Sequence, residues 1–159
     1  MFSKLFLSRR ILFSLVVFLM MINDSLAQSS SSETENAQII REFIAAWSDL
    51  DAQELAAYFS EDGTYYNIPT SPVSGRENVA RFIAGFIKDW ESTDWEIINL
   101  FAHDNLVVAE RVDRTVVNDK PVNLPALGIF EMEAGKIKIW RDYFNLPTYA
   151  EAFAAALQQ

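Results

Sequence analysis

Two apolar, β-branched segments of this chain each contain an aspartate, and this combination limits the folds open to it. The segments, Leu106 to Val117 and Lys136 to Phe144, are typical of strands, whereas aspartate is rare inside strands. Side chains two residues apart on a strand share a face, so Arg111 and Asp113 lie on one largely apolar face. A charge on a buried face is costly unless it is paired. We therefore expect Arg111 to bind Asp113 and a second carboxylate, for which Asp142 is the best candidate.

The spacing of apolar residues changes from a helical period to a strand period near Trp95. Before it, apolar residues three and four apart predict helices that contain 39–47, 52–59 and the segment after Gly75, with a short strand over 64–68. After it, alternation and turn residues predict four strands joined as an antiparallel meander, and the Ala-rich end predicts a final helix. This order predicts an α+β domain, in which N-terminal helices wrap a curved, mixed sheet into a cone with a deep apolar pocket.

The first 27 residues have the composition of an export signal. A basic start is followed by a 12-residue apolar run, which is shorter than the roughly 20 residues of a membrane-spanning helix. The basic start is Lys4 to Arg10, and the apolar run is Ile11 to Ile22. Ser25-Leu26-Ala27 follows and has the small-x-small pattern that signal peptidase cleaves. We predict a periplasmic or secreted protein cleaved after Ala27, with retention of the segment as an anchor as the alternative.

The remaining chain divides into a Ser-rich leader over 28–36, predicted to be a disordered linker, and one domain over 37–159. Removal of residues 1–27 leaves 10 Lys and Arg against 21 Asp and Glu, a net charge of −11. Such a surface repels nucleic acid, and no membrane association is expected once the signal is gone. The absence of cysteine excludes disulfides and thiolate chemistry.

Several motifs occur in an order and spacing that resemble those of the limonene-1,2-epoxide hydrolase family. This family belongs to a cone-shaped α+β superfamily that includes nuclear transport factor 2, SnoaL-like proteins and ketosteroid isomerase. The resemblance extends from about Ala37 to Tyr149. The motifs are Glu61-Asp62-x-x-Tyr65-x-Asn67-x-Pro69, Gly75-Arg76, Glu110-Arg111-Val112-Asp113, Gly135-Lys136-Ile137 and Trp140-Arg141-Asp142-Tyr143-Phe144.

The resemblance implies a role for each of five residues in a cofactor-independent, metal-free hydrolysis of a lipophilic epoxide. Asp113 is the implied general acid, Arg111 the bridging cation and Asp142 the general base, while Tyr65 and Asn67 hold the attacking water. The export signal is a departure, because the well-known relatives are intracellular. The physiological epoxide is therefore not implied by the resemblance.

Epoxide opening by water suits two carboxylates in opposite protonation states. A base must remove a proton from water, and an acid must protonate the leaving oxygen. Asp titrates near ~3.9, so a protonated Asp at neutral pH needs burial or a neighbouring negative charge. Two aspartates in one apolar pocket supply both conditions.

Other interpretations of the same residues remain open at this stage. An Arg–Asp pair on neighbouring strands, taken alone, is more often a structural ion pair than a catalytic one. The same cone could serve an isomerase or polyketide cyclase, or a non-catalytic small-molecule carrier. His103, the single histidine, lies beside a predicted turn and is expected at the surface. Apolar residues on the face opposite Arg111, namely Leu106, Val108 and Val112, need covering and predict a homodimer.

Overall fold

The computed structural model of the chain describes residues 32–158. The predicted signal segment, its cleavage site and the first residues of the predicted linker lie outside the described residues. Within 32–158, no helix has the length and apolar character that crossing a membrane requires.

Residues 32–158 contain four helices. Two of them begin at side-chain caps, because Asp51 accepts hydrogen bonds from the backbone N–H groups of α2 and Asn145 accepts one from Thr148 in α4. The helices are α1 over 32–46, which continues into a 3-10 turn at Trp47–Asp49, α2 at Ala52–Ala57, α3 at Arg76–Ile87 and α4 at Leu146–Leu157.

The linker prediction over 28–36 is wrong for residues 32–36, which form the first turns of α1. The reason is a tertiary contact that the polar composition does not indicate. The Glu33 carboxylate accepts a hydrogen bond from the backbone N–H of Asp104 at 2.9 Å, and the Asn36 amide donates to the Asp104 carbonyl at 3.3 Å. The turn between two strands thus holds the start of α1 in place.

The predicted α+β architecture with a curved, mixed sheet is confirmed. The strands lie in the order β2-β1-β6-β5-β4-β3; β1 and β6 are parallel, and all other neighbours are antiparallel. The strands are β1 at Phe59–Asn67, β2 at Val73–Ser74, β3 at Ser92–His103, β4 at Leu106–Val117, β5 at Lys120–Glu133 and β6 at Lys136–Phe144.

Strand β1 begins at Phe59, well before the short strand predicted over 64–68, and α2 accordingly ends sooner than predicted. The pairing of β1 with β6 shifts register between Phe59 and Thr64. Gly63 lies at this irregularity, where a Cβ would come within 3.0 Å of the Ile137 carbonyl oxygen. The polar residues that precede it therefore form a bulge inside a strand rather than a break between elements.

Aromatic side chains fill the space between the helices and the inner face of the sheet. Phe43 of α1 is fully buried, and its ring contacts those of Phe59, Phe130 and Trp140 at centroid distances of 5.2 to 6.0 Å. Edge-to-face contacts of this kind stabilise a core beyond the area that they bury. This core lies between the helices and the sheet, and Arg111 and Asp113 of β4 are buried on the inner face.

Candidate active site

Three strands supply the five side chains singled out by the sequence. Strand β4 carries Arg111 and Asp113, β6 carries Asp142, and β1 carries Tyr65 and Asn67. All five lie on the inner face and are at most 5% exposed. Because β1 and β6 are adjacent, Asn67 lies directly opposite Asp142 in the register of the sheet. The structure thus brings the five predicted residues into one place.

The Arg111 guanidinium holds both carboxylates at once. It donates from Nε and Nη2 to the two oxygens of Asp113, at 2.8 and 3.2 Å. It also donates from Nη1 and Nη2 to the two oxygens of Asp142, at 2.8 and 2.7 Å. Paired N–H donors fix the plane of each carboxylate as well as its position. The result is a rigid Asp–Arg–Asp unit inside the sheet wall.

Two tryptophan rings lie against the guanidinium. The Cζ atom of Arg111 is 4.5 Å from the ring centre of Trp95 and 5.5 Å from that of Trp140. The aromatic faces attract the cation and exclude water from it. Although burial by itself lowers the pKa of Arg111, Asp113 and Asp142 raise it overall, so the guanidinium stays charged.

Gly128 makes the path of Arg111 possible. Strand β5 lies between β4 and β6, so the guanidinium must cross it to reach Asp142, over a span of roughly 10 Å between the outer two strands. At the crossing, Gly128 pairs with Ala109 on one side and Asp142 on the other. A Cβ there would lie 3.0 Å from Nη1 of Arg111 and 2.8 Å from the ring of Phe130. Any larger residue would therefore push the guanidinium from its place.

The environment of Asp113 favours its protonated form. Burial raises the pKa of this carboxyl from 3.8 to about 7; the charge of Asp142 adds to the rise, and Arg111 opposes it. At neutral pH a substantial fraction of Asp113 therefore carries a proton. The unit then consists of one cation, one carboxylate and one carboxylic acid.

Tyr65 and Asn67 lie beside the carboxylate of Asp142. Tyr65 stacks on Trp140, with ring centres 4.1 Å apart and an angle of 4° between the planes. Burial and then the charge of Asp142 raise the pKa of Tyr65 well above its usual value, so its hydroxyl keeps its proton. The side-chain oxygen of Asn67 is buried and has no hydrogen-bond partner among the described residues. A buried acceptor of this kind suits a small hydrogen-bond donor such as water.

A narrow pocket opens onto Asp113, Asp142, Tyr65 and Asn67. The free space between its walls is about that of a single water molecule. An organic substrate must therefore displace side chains in order to enter. The other walls are mostly apolar or aromatic and come from α3, the sheet and α4: Phe86, Trp90, Trp95, Thr115, Val122, Leu124, Phe144 and Tyr149.

Sequence patterns did not indicate Gly128, Thr115, Trp90 or Tyr149 as parts of this site. A glycine inside a predicted strand does suggest a close approach of another group, which is the signal that could have identified Gly128. Thr115 follows Asp113 by two residues in a predicted strand, and this alternation could have placed it on the same face. No comparable signal exists for Trp90 and Tyr149, whose positions depend on how α3 and α4 close over the sheet.

A carboxylate-containing cluster also lies at the surface, where Glu33, His103 and Asp104 could bring three ligand atoms to a metal ion. The His103 side chain is 85% exposed, as predicted for a surface residue. Its Nδ1 is 3.3 Å from the Glu33 carboxylate. This cluster is at the turn between β3 and β4, and none of its residues lines the pocket.

Comparison with known sequences relates this chain to one enzyme family. The family model for the limonene-1,2-epoxide hydrolase catalytic domain matches residues 34–155. The epoxide hydrolase EphG of Mycobacterium tuberculosis is 26% identical over 107 residues, which cover 67% of this chain and 71% of EphG.

Solved structures share the fold. A limonene-1,2-epoxide-hydrolase-like enzyme of Mycobacterium tuberculosis has a TM-score of 0.68 at 24% identity, covering 79% of this chain and 94% of its own. A protein with a ketosteroid isomerase-like fold from Catenulispora acidiphila has a TM-score of 0.66 at 21% identity, covering 73% and 92%. A protein of the SnoaL-like polyketide cyclase type from Shewanella denitrificans has a TM-score of 0.67 at 15% identity, covering 76% and 97%. At these identities the likeness shows the cone-shaped fold alone.

Proposed function

Because the chain belongs to the limonene-1,2-epoxide hydrolase family, we propose that it adds water to a lipophilic epoxide and releases a vicinal diol without a cofactor or metal. The observation that carries the proposal is the bidentate hydrogen bonding of Arg111 to each of two buried carboxylates in one pocket. A structural ion pair needs only one carboxylate per guanidinium. The second carboxylate adds a net negative charge to the buried unit, and that charge favours retention of a proton on Asp113.

Each carboxylate has one task in the proposed reaction. Asp142 removes a proton from water as the water oxygen forms a bond to an epoxide carbon. The carbon–oxygen bond of the strained ring breaks, and Asp113 gives its proton to the departing oxygen. The diol leaves with Asp142 protonated and Asp113 ionised, and one proton must then return from Asp142 to Asp113. The guanidinium of Arg111 contacts both carboxylates and keeps their separation fixed throughout.

The position of the attacking water follows from the unpaired oxygen of Asn67. A water between Asn67 and Asp142 can donate one hydrogen bond to each, since the two residues are opposite one another in the sheet. The Tyr65 hydroxyl can donate to the same water and orient its lone pair. This arrangement activates water for direct attack in a single step.

Isotope incorporation separates direct attack from a covalent ester on Asp142. A nucleophilic carboxylate needs a second base to hydrolyse its ester, and the single histidine, His103, is at the surface. In a single turnover in oxygen-18 water, with enzyme in excess, the label should enter the diol at once. Unlabelled diol together with labelled Asp142 would contradict the one-step mechanism.

Diol formation from a panel of lipophilic epoxides is the direct test of the function. Asp113→Asn and Asp142→Asn should each abolish it while leaving the circular dichroism spectrum unchanged, because asparagine fills the space without the required proton transfer. Tyr65→Phe should retain more activity, since Asn67 still holds the water. Near-wild-type turnover in either Asp variant would contradict the assignment of acid and base.

The same panel discriminates the other functions that this fold serves. An isomerase or polyketide cyclase acts on an enolate, and a carrier binds without turnover, so neither converts an epoxide to a diol. Binding of epoxides with no diol product would favour the carrier.

We also propose that two copies pair through the outer face of the sheet. This face exposes apolar side chains, of which Ile98, Phe101, Leu106, Leu127 and Tyr143 are the largest, and contiguous apolar surface of this kind commonly marks an interface. Light scattering should give twice the chain mass, and a monomer at micromolar concentration would count against pairing.

Export with cleavage after Ala27 remains a proposal that rests on the first 27 residues. Mass spectrometry of the protein from its native host should find Gln28 or a near neighbour at the N-terminus. An intact Met1 on a membrane-bound protein would contradict cleavage.

A further inference from the structure

The pocket has a second polar end that the proposed hydrolysis does not use. Thr115 follows Asp113 by two residues on the same face of β4, so it lies about 7 Å further along the strand. Trp90, from the segment after α3, and Tyr149, from the first turns of α4, line the pocket with it. These three residues, here termed the distal polar group, carry one indole N–H and two hydroxyls in otherwise apolar surroundings.

The indole N–H of Trp90 is available to a pocket occupant. Trp90 is 8% exposed, and its Nε1 makes no hydrogen bond of normal geometry with any of residues 32–158. The N–H lies near enough to the Tyr149 hydroxyl to act on its charge, without forming a hydrogen bond of normal geometry. A buried donor that lacks an acceptor is costly, and an acceptor brought by a ligand would remove that cost.

The Tyr149 hydroxyl keeps its proton at neutral pH and can donate it. Burial raises the pKa of Tyr149 to about 12; the nearby N–H of Trp90 opposes the rise, and the charge of Asp113 adds to it. Tyr149 is half-buried and contacts aromatic neighbours, including Phe86 at 5.7 Å between ring centres. A donor is therefore held in position beside the Trp90 N–H.

Thr115 has the complementary character. The Thr115 hydroxyl oxygen is 2.9 Å from the Thr93 hydroxyl oxygen. The Thr93 hydroxyl oxygen is in turn 3.2 Å from the carbonyl oxygen of Arg114. A carbonyl can only accept, so Thr93 donates to Arg114 and Thr115 donates to Thr93. The oxygen of Thr115 is left as an acceptor at the pocket wall.

Charge restricts what this end of the pocket can bind. The charged residues of the pocket lining are Asp113 and Asp142 alone. The lining offers no lysine or arginine to an anionic substituent, and a cation would meet the N–H and O–H donors of Trp90 and Tyr149. A neutral oxygen that accepts hydrogen bonds fits both conditions.

We propose that the substrate is an oxygenated epoxide, with a neutral carbonyl or hydroxyl oxygen that Trp90 and Tyr149 bind while the epoxide ring faces Asp113 and Asp142. This proposal rests on the hydrolase function proposed above and narrows its substrate class. A purely hydrocarbon epoxide leaves the distal polar group without partners. A site built for a polar group discriminates against a ligand that lacks it.

Matched epoxides test this preference. Cyclohexene oxide with a 4-acetyl group and cyclohexene oxide with a 4-isopropyl group have nearly the same shape, but only the first carries a distal oxygen. In the wild-type protein, kcat/KM for the acetyl compound should exceed that for the isopropyl compound by about tenfold, as the loss of a hydrogen bond implies. Tyr149→Phe and Trp90→Phe should each bring this ratio towards one. The control variant Tyr58→Phe changes a tyrosine outside the pocket lining. It should keep the wild-type ratio of the two kcat/KM values.

Binding of unreactive ligands separates this proposal from the hydrolase function. Isothermal titration calorimetry should give a lower dissociation constant for acetylcyclohexane than for isopropylcyclohexane, and Tyr149→Phe should remove the difference. If neither epoxide is hydrolysed but this binding difference is found, the hydrolase function fails and the distal oxygen site stands. Equal binding of the two ligands, or a ratio that Tyr149→Phe and Trp90→Phe both leave unchanged, overturns the distal site.

Discussion

Strand β4 carries an arginine on each of its faces, and the two form ion pairs of very different consequence. Arg111 on the inner face donates four hydrogen bonds to two buried carboxylates. Arg114, three residues later on the outer face, pairs with Glu96 of β3, and both side chains are 49% exposed. Both arginines lie on one strand and pair with carboxylates, whereas their access to water differs.

Exposure to water determines how strongly the members of each ion pair depend on one another. An exposed pair is screened and typically contributes about 0–1 kcal/mol. A buried pair must overcome the loss of hydration, so its members depend on one another far more strongly. On the inner face this dependence extends to protonation, since burial and the second carboxylate raise the pKa of Asp113 to about 7. The inner ion pair, which is Arg111 with Asp113 and Asp142, can therefore hold a proton at neutral pH.

The largest effect is expected from Arg111→Met. The change leaves two carboxylates in the sheet wall without a cation, which should lower the free energy of unfolding by about 3–5 kcal/mol and abolish diol formation. Urea denaturation and the diol assay measure the two effects. Adding Asp113→Leu and Asp142→Leu to this variant should restore stability but not activity. An Arg111→Met protein with wild-type stability would show that the inner pair is no stronger than the outer one.

A second test uses pH, because the pKa of Asp113 lies near neutrality. The proposed mechanism requires protonated Asp113, so kcat/KM should fall about tenfold for each pH unit above about 7. The pKa of Asp113 rises from 3.8 in the unfolded chain to about 7 in the folded protein. Between pH 3.8 and about 7, the folded protein therefore binds more protons than the unfolded chain does. The contribution of Asp113 to stability is therefore complete below pH 3.8 and is lost as the pH rises through about 7. A rate that stays constant to pH 9 would contradict Asp113 as the acid.

Gly128→Ala should displace the inner pair without changing its charges. The added Cβ would lie 2.8 Å from the Phe130 ring and 3.0 Å from Nη1 of Arg111, so both side chains must give way. We expect kcat to fall by about ten- to a hundredfold and the free energy of unfolding by about 1–3 kcal/mol. Gly85→Ala in α3 is the matched control, since a Cβ there meets nothing within 4 Å and alanine favours the helix. Equal activity of the two variants would show that Arg111 needs no space over β5.

The sequence was informative about the inner pair because strands impose a strict alternation. Arg111 and Asp113 had to share a face, and an apolar face with charges on it had to pair them. Tyr65 and Asn67 were different: their spacing was ordinary, and only the resemblance to a family marked them. Their place beside Asp142 depends on the parallel pairing of β1 with β6, which joins segments far apart in the chain.

Long-range contacts also explain what the sequence did not predict. Residues 32–36 were expected to be disordered from their composition, yet the β3–β4 turn holds them in a helix through Glu33 and Asn36. Trp90 and Tyr149 are ordinary aromatic residues in the sequence. They become pocket walls only because α3 and α4 close over the same end of the sheet.

The smallest effect is expected on the outer face, where Arg114→Gln removes the exposed arginine. Water replaces the lost partner of Glu96, so the free energy of unfolding should change by less than about 1 kcal/mol. The pocket lies on the other face of β4, so kcat/KM should stay within about twofold of the wild type. Adding salt to the wild type should weaken the outer pair and leave the inner one intact, because ions screen exposed charges and do not reach buried ones. A loss of activity in Arg114→Gln as large as that in Gly128→Ala would mean that β4 transmits strain between its faces, and burial alone would no longer explain the difference between its two arginines.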